Sequence, residues 1–315
     1  KWSIYDILPK VKKAGSTGAY LTEAGAQFLD DSGSLKSGIP VCPPEGDAGT
    51  GMVATNSVLP KTGNISAGTS VFSMLVLEKP ICGVYPEIDI VSTPDGLPVA
   101  MIHCNNGCSE LDGWVGMFEE FSELIGVKID KSKLYETLYQ NSLTAKPDCG
   151  GIVSYNFLAS EPVAGISKGK PMYFRTIDSK MTLANFFRSQ LYSAVITLKI
   201  GMDLLVEKEN AVAENFNAHG GLFKVKGVAQ KYAANILNTP ISISKTAGEG
   251  GAWGMALLAA YMQKGEGLSL GKWLRENVFC KIHTETIQPE ESEVNGALKY
   301  FEEYEEGLSA QKVWG

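Results

Sequence analysis

The stretch from residue 215 to residue 263 alternates short apolar runs, glycine pairs and helical patterns, and this alternation most constrains the fold. Residues 215–219 lead into Gly220-Gly221, and residues 227–237 have the pattern of a helix. A strand at 241–244 then precedes Gly250-Gly251 and a helix over 252–263. A repeated order of strand, glycine turn and helix is typical of domains in which helices cover a sheet. We therefore predict an α/β fold.

Other segments extend this pattern. The sequence predicts strands at 64–67, 71–77 and 99–104 and helices at 21–29, 48–58, 114–125 and 133–140. The apolar run over 38–42 predicts a buried strand, and apolar residues at helical spacing through 182–208 predict one long core helix. The acidic tail over 289–307 predicts a solvated helix that packs through Tyr300, Phe301 and Tyr304.

The composition argues against several classes of protein. With 315 residues, 44% of them hydrophobic, the chain can bury a large core. The net charge of −7 argues against a nucleic-acid surface, which is usually basic. No apolar run reaches the roughly 18 residues that span a membrane. The six scattered cysteines fit free, buried thiols in a reducing cytoplasm, and none of the three histidines has a partner at metal-ligand spacing.

Asp47 is the first candidate for chemistry. It stands in Gly46-Asp47-Ala48-Gly49, where small neighbours leave room for a substrate hydroxyl to approach. An aspartate in such a place can take the proton of an alcohol while the alcohol oxygen attacks a phosphate. It can equally be a turn or capping residue, since an Asp before small residues often starts a helix. The spacing alone leaves both readings open.

Gly68-Thr69-Ser70 is the second candidate, because it joins two predicted strands in a hairpin. Glycine lets the backbone approach a ligand closely, and the two hydroxyls can donate hydrogen bonds to phosphate oxygens. Taken alone, the same three residues are more typical of a plain turn. They gain meaning only from the motifs around them.

Gly220-Gly221 is the third candidate, since a strand that feeds a glycine turn and a helix presents amides to a phosphate. It is not a Walker loop, because no Gly-Lys-Ser/Thr follows at the required spacing. Lys224 can neutralise phosphate charge or can be an ordinary surface lysine. The glycines of Gly248-Glu249-Gly250-Gly251-Ala252-Trp253-Gly254 predict close helix packing beside such a site.

The order of these motifs resembles the FGGY carbohydrate kinases over nearly the whole chain. In that family a Gly-Pro-Val-type strand leads to a catalytic Asp, as Ile39-Pro40-Val41 leads to Asp47 here. A Ser-x-Gly-Thr-Ser stretch follows, matched by residues 66–70. A Gly-Gly turn with a later Gln is matched by Gly220-Gly221 and Gln230, and residues 252–256 match a closing Ala-Leu-Gly-Ala-Ala-type helix.

The resemblance implies an actin-like ATPase (ribonuclease H-like) domain, a mixed sheet flanked by helices, preceded by the end of an N-terminal lobe. Residues 1–62 would end that lobe and carry the catalytic Asp, residues 63–315 would form the nucleotide-binding domain, and the chain starting at Lys1 would be the C-terminal part of a longer protein.

By the same resemblance, Asp47 is the general base, Gly68, Thr69 and Ser70 hold the γ-phosphate, and Gly220 and Gly221, with Lys224 near them, contact the nucleotide. No metal-binding residue is predicted in this chain. The implied cofactors are ATP and Mg²⁺. The implied substrate is a ketose, with a pentulose such as xylulose or ribulose first, in a cytoplasmic enzyme with no nucleic-acid or membrane partner. A homodimer stays open.

Two other functions remain compatible with the sequence. A regulatory ATPase on the same fold would bind ATP and phosphorylate no sugar, although the retained Asp47 speaks against it. A non-enzymatic interaction domain would have lost nucleotide binding, and the apolar Leu222 and Val225 after the glycine turn give that reading some support.

Overall fold

A computed structural model describes residues 1–246, 248, 250–265 and 267–314. Its centre is a seven-stranded sheet with the strand order β11-β10-β9-β3-β4-β6-β5. The strands are β1 (Ala19–Tyr20), β2 (Pro40–Val41), β3 (Thr62–Ala67), β4 (Val71–Val76), β5 (Asp89–Ser92), β6 (Pro98–Cys104), β7 (Ile152–Tyr155), β8 (Met172–Arg175), β9 (Asn215–His219), β10 (Ile241–Ser244) and β11 (Thr284–Ile287). Strands β9 and β10, and β3 and β9, pair in parallel, and the other neighbours are antiparallel, so the predicted mixed sheet is confirmed.

Helices cover both faces of this sheet. They are α1 (Ile4–Ile7), α2 (Glu23–Leu29), α3 (Asp47–Ala54), α4 (Ser109–Leu124), α5 (Lys131–Ser142), α6 (Leu183–Ser193), α7 (Thr197–Glu209), α8 (Val228–Leu237), α9 (Gly250–Lys264), α10 (Leu270–Asn277) and α11 (Glu291–Trp314). The larger hydrophobic core lies under α4 to α8 and α11, and a smaller core lies under α3, α9 and α10. Because successive strand residues face opposite sides, β4 supplies Leu75 to the first core and Met74 to the second.

The predicted helix over 182–208 is wrong as a single element, because the structure has two helices there. Helix α6 ends at Ser193 and α7 begins at Thr197, with a tight turn between them. In that turn the carbonyl of Tyr192 accepts the N–H groups of both Val195 and Ile196. The turn contains β-branched residues, which favour helix less than straight side chains do. Its side chains are fully buried, so the apolar periodicity runs through the break without a gap.

The buried strand predicted over 38–42 is also wrong. Only Pro40–Val41 is a strand, it pairs with Ala19–Tyr20 in a separate two-stranded sheet, and Val41 is 43% exposed. Across residues 1–45 the buried hydrophobic residue is Ala26, whereas eleven large apolar side chains are exposed. The sequence pattern is apolar, but the described chain leaves Ile39 and Val41 exposed and Pro40 and Cys42 only half-buried.

Three other predictions have clear outcomes. The helix predicted over 48–58 stops at Ala54, because Asn56 takes a left-handed conformation that ends it. The acidic tail is helix α11, and it buries Tyr300, Phe301 and Tyr304 as predicted. All six cysteines are free, as predicted, but Cys82 and Cys280 are exposed and Cys42 is half-buried rather than buried.

Candidate functional site

Two glycine turns meet at one edge of the sheet because the strands before them run side by side. Strands β3 and β9 pair in parallel with Ser66 opposite His219, so the turns that follow both strands leave at the same edge. Gly220 has a φ of 104°, and a Cβ at this position would overlap the carbonyl oxygen of Ala67. Glycine is therefore required where the two turns approach each other.

A cleft of about 1040 Å³ opens at this edge. Gly68 and Thr69 line it from the β3–β4 turn, and Gly221 and Lys224 line it from the turn after β9. Four of the predicted phosphate-binding residues thus lie around one cavity, although they are up to 156 positions apart (224 − 68) in the chain. Ser70 and Gly220 are not among the residues that line the cleft.

The β3–β4 turn presents unused hydrogen-bond donors. The N–H of Gly68 donates to the carbonyl of Ser70 at 2.9 Å, which closes the turn. Within the described chain, neither the amide nor the hydroxyl of Thr69 or Ser70 donates to another residue. Gly68 and Thr69 are exposed and Ser70 is half-buried. Free amides and hydroxyls beside a cavity can bind the oxygens of a phosphate.

The turn after β9 is a single turn of 3-10 helix over Gly221–Lys224, and α8 begins only at Val228. Leu222 is 1% exposed, so its side chain packs in the core rather than filling the cleft. Lys224 is exposed, and its ammonium forms no ion pair with any residue that the structure describes. Its charge is available to an anionic ligand.

The opposite wall of the cleft comes from α4 and α5, and sequence reasoning missed it. Tyr135 donates its hydroxyl to the carboxylate of Asp112 at 2.7 Å, which joins the two helices at the cleft. Burial and this hydrogen bond both raise the pKa of Tyr135. Asp112 and Tyr135 are 23 positions apart on separate helices, and no spacing rule links such a pair in advance.

Asp47 lies apart from this cleft lining. It is the first residue of α3, after the capping residue Gly46, and its Oδ1 accepts the N–H of Ala48 at 2.8 Å. The side chain is exposed. Helix α3 belongs to the smaller core, whereas α4 and α5 belong to the larger one. The described contacts therefore bring Gly68, Thr69, Gly221 and Lys224 together but do not join Asp47 to them.

The second glycine-rich segment packs α9 against α3. A Cβ at Gly254 would overlap the backbone of Thr50, and one at Gly251 would lie 3.0 Å from the Thr50 hydroxyl oxygen. This close crossing is the packing role predicted for the segment, of which Glu249 lies outside the described residues. Burial lowers the pKa of His219, whose Nε2 has no hydrogen-bond partner in the described chain. Within that chain, no group of three or more His, Cys, Asp or Glu is placed to hold a metal ion.

The mixed sheet flanked by helices, with two strand-end turns at one cleft, is the architecture expected of an actin-like fold, and comparison with known proteins agrees with this fold. The chain belongs to the FGGY family of carbohydrate kinases, since residues 63–263 match the model of the C-terminal domain of that family. A search of curated protein sequences finds no match.

Solved structures of FGGY-type kinases share the fold. The xylulose kinase from Rhodospirillum rubrum superposes with a TM-score of 0.76 at 15% identity, over 96% of this chain and 57% of that one. The gluconate kinase from Lactobacillus acidophilus gives 0.73 at 16% identity, over 96% and 57%. The Plasmodium falciparum glycerol kinase with ADP gives 0.67 at 13% identity, over 96% and 56%. The chain therefore spans little more than half the length of these kinases. None of its described helices combines the length and apolarity needed to cross a membrane.

Proposed function

We propose that this chain forms the nucleotide-binding part of an ATP-dependent carbohydrate kinase. The observation that carries the proposal is the cleft in which Gly68, Thr69, Gly221 and Lys224 converge. The free donors of Thr69 and Ser70 suit the terminal phosphate, and Lys224 supplies positive charge nearby. Membership of the FGGY family and the likeness to a glycerol kinase that binds ADP support the nucleotide as ligand.

The residues of this chain would act by positioning and electrostatics. Phosphoryl transfer involves little covalent work by the protein, so fixed donors around the phosphate supply most of the catalysis. Mg²⁺ would arrive mainly on the phosphates, because it is usually bound by one or two carboxylates, waters and the phosphates of the substrate. The metal would offset the negative charge of the transferring group.

We propose that Asp47 is the general base. The sugar hydroxyl would give its proton to the carboxylate while its oxygen forms a bond to the γ-phosphorus, and the bond to ADP would break. An exposed carboxylate with small neighbours suits this role. Asp47 would reach the phosphate only when the rest of the complete enzyme closes on the cleft, as lids and domains commonly do.

The exposed apolar side chains of residues 1–45 support a second part of this proposal. We propose that residues 1–62 end a preceding lobe, that residues 63–315 are the nucleotide-binding domain, and that other parts of the complete protein cover the exposed segment. The free cysteines fit a cytoplasmic enzyme. A homodimer stays a prediction.

A ketopentose is the proposed acceptor, with xylulose or ribulose first. The likeness to xylulose kinases supports this choice, whereas the gluconate and glycerol kinases show that one fold serves a sugar acid and a polyol as well. The test is ADP release by the complete gene product with ATP, Mg²⁺ and a panel of ketoses, polyols and sugar acids. A rate that rises with one ketopentose supports the full proposal. Nucleotide binding with no response to any acceptor contradicts it and favours a regulatory ATPase.

A further inference from the structure

The phosphate loop, defined as Gly68 to Ser70, is held by a neighbouring turn rather than by its own strands alone. This turn, Asn105 to Cys108, connects β6 to α4. The N–H of Gly107 donates to the carbonyl of Thr69 at 2.7 Å, and the N–H of Cys108 donates to the carbonyl of Gly68 at 2.8 Å. A Cβ at Gly107 would overlap the Gly68 carbonyl oxygen, so the two turns are in close backbone contact.

The supporting turn is itself fixed by a buried carboxylate. Glu161, fully buried, follows β7 and accepts two hydrogen bonds from Asn106 through Oε2, at 3.2 Å from the backbone N–H and at 2.9 Å from Nδ2. In return, Oδ1 of Asn106 accepts the N–H of Ala159 at 2.8 Å. The side chain of Asn106 thus attaches the supporting turn to the segment after β7.

A buried asparagine from the same segment completes the attachment. Asn156 is 2% exposed, and its Nδ2 donates to the carbonyls of Asn106 at 3.0 Å and Gly107 at 2.8 Å. The carbonyl and N–H of Gly107 are therefore both occupied, one by Asn156 and the other by Thr69. Any shift of Gly107 would break a bond on one side or the other.

Stability alone gives a poor reason for this arrangement. Burying a carboxylate away from water is costly unless it is well compensated, and burial raises the pKa of Glu161. Oε1 of Glu161 and Oδ1 of Asn156 have no hydrogen-bond partner in the described chain. An apolar core of the same volume would avoid these costs, but it would offer no hydrogen-bond partner to the backbone N–H of Asn106 or to the carbonyls of Asn106 and Gly107.

We infer that Asn156 and Glu161 are positioning residues for the bound phosphate. By fixing Asn106 and Gly107 they keep the carbonyls of the phosphate loop engaged on one side, which leaves the donors of Thr69 and Ser70 free for the ligand. The inference rests on the proposed nucleotide-binding function. Neither side chain lines the cleft, so their effect on the ligand is indirect.

The test compares Asn156→Leu with Ser189→Ala in the complete gene product. Leucine is close to asparagine in size but donates to neither carbonyl of the supporting turn. Ser189 is equally buried, and its hydroxyl pairs with Ser154 at 2.8 Å away from the phosphate loop. We expect Asn156→Leu to weaken ATP binding about tenfold, the net value of one to two hydrogen bonds, and to leave the KM for the sugar within about twofold. Ser189→Ala should lower Tm and leave ATP affinity unchanged.

Glu161→Gln is the conservative variant that checks the second residue. Its amide oxygen can still accept from Asn106 while the amide nitrogen takes the place of the unpartnered Oε1, so ATP affinity should stay within about twofold of the parent. Glu161→Leu, which offers no acceptor, should match Asn156→Leu. Equal losses in Glu161→Gln and Glu161→Leu would contradict the role of the acceptor oxygen.

Amide hydrogen exchange separates this inference from the proposed function, because it needs no ligand. Exchange at Gly107 and Cys108 should accelerate about tenfold in Asn156→Leu and stay unchanged in Ser189→Ala. If exchange is faster in Asn156→Leu but the parent protein binds no nucleotide, the positioning of the loop is retained and the proposed function is rejected. Unchanged exchange with unchanged ATP affinity would overturn the inference.

Discussion

The phosphate loop and Asp47 differ in how firmly the chain holds them. Backbone hydrogen bonds fix the loop to the supporting turn, and the fully buried Glu161 anchors that supporting turn. Asp47 is exposed, and its carboxylate accepts a hydrogen bond only from its neighbour Ala48 among the described residues. The difference teaches that this domain fixes the proposed phosphate loop through its own contacts, whereas it leaves the proposed base Asp47 exposed and held only by its neighbour.

The largest expected effect comes from removing the proposed base. Asp47→Asn keeps the shape of the side chain but cannot accept the hydroxyl proton, so phosphoryl transfer should fall by about 10²- to 10⁴-fold. ATP affinity should not change, because Asp47 does not line the cleft. The measurement is kcat alongside nucleotide titration in the complete gene product. Asp31→Asn, an exposed aspartate of the same segment, is the matched control, and unchanged turnover in Asp47→Asn would remove the residue from its role.

A second test concerns the firmly held turns beside the cleft, through two variants of the turn after β9. Gly220→Ala places a Cβ against Ala67 at a φ that side chains rarely adopt, and it should cost about 1–3 kcal/mol of unfolding free energy together with ATP affinity. Gly221→Ala meets open space, so its unfolding free energy should stay within about 0.5 kcal/mol of the parent. Denaturant titration measures both. Equal destabilisation by the two variants would show that the contact with Ala67 is not the cause.

A smaller effect is expected at the rim of the cleft. Lys224→Ala removes an exposed charge, and exposed charge pairs are worth up to about 1 kcal/mol, so ATP binding should weaken by about fivefold or less. The loss should shrink as salt is added, because the interaction is screened. Lys208→Ala on α7 is the control, and an identical loss there would indicate a general charge effect rather than contact with the ligand.

The smallest effect concerns pH and a carboxylate remote from the cleft. Glu209 accepts the N–H groups of Cys82 and Gly83 and the hydroxyl of Tyr85, and these bonds lower its pKa. Its contribution to stability is therefore present above the unfolded pKa and is lost as pH falls through the lower folded pKa. Glu209→Gln should therefore reduce the fall of Tm at acidic pH. An unchanged fall of Tm would show that other groups cause the acid sensitivity.

Glu161 should behave in the opposite way, because burial raises its pKa instead. The folded state then binds more protons than the unfolded state between the two pKa values, so stability falls as pH rises through that window. Glu161→Gln should remove this fall. Both glutamates hold loops, but hydrogen bonds lower the pKa of Glu209 whereas burial raises the pKa of Glu161.

Much of the sheet could be predicted from the sequence, because β4 and β6 are mainly apolar runs and β3 and β10 are short segments between turn residues. Helices α8, α9 and α11 followed from spacing and glycine signals in the same way. The break between α6 and α7 was hidden because burial continues through Val195 and Ile196. The exposed strand β2 was misjudged because apolar composition does not report whether anything packs on a segment.

The sequence by itself determined the class of the fold and the glycine turns that reach the cleft, because these depend on local periodicity and on residues near in the chain, and the order of its motifs carried the resemblance to the family. The tertiary structure decided which parts became a site. Asp112 and Tyr135 face the cleft from two helices, and Asn106 meets Glu161 across 55 positions. The first contact forms because α4 packs against α5, and the second because the ends of β6 and β7, which belong to different sheets, meet in the folded chain; no local pattern encodes either contact.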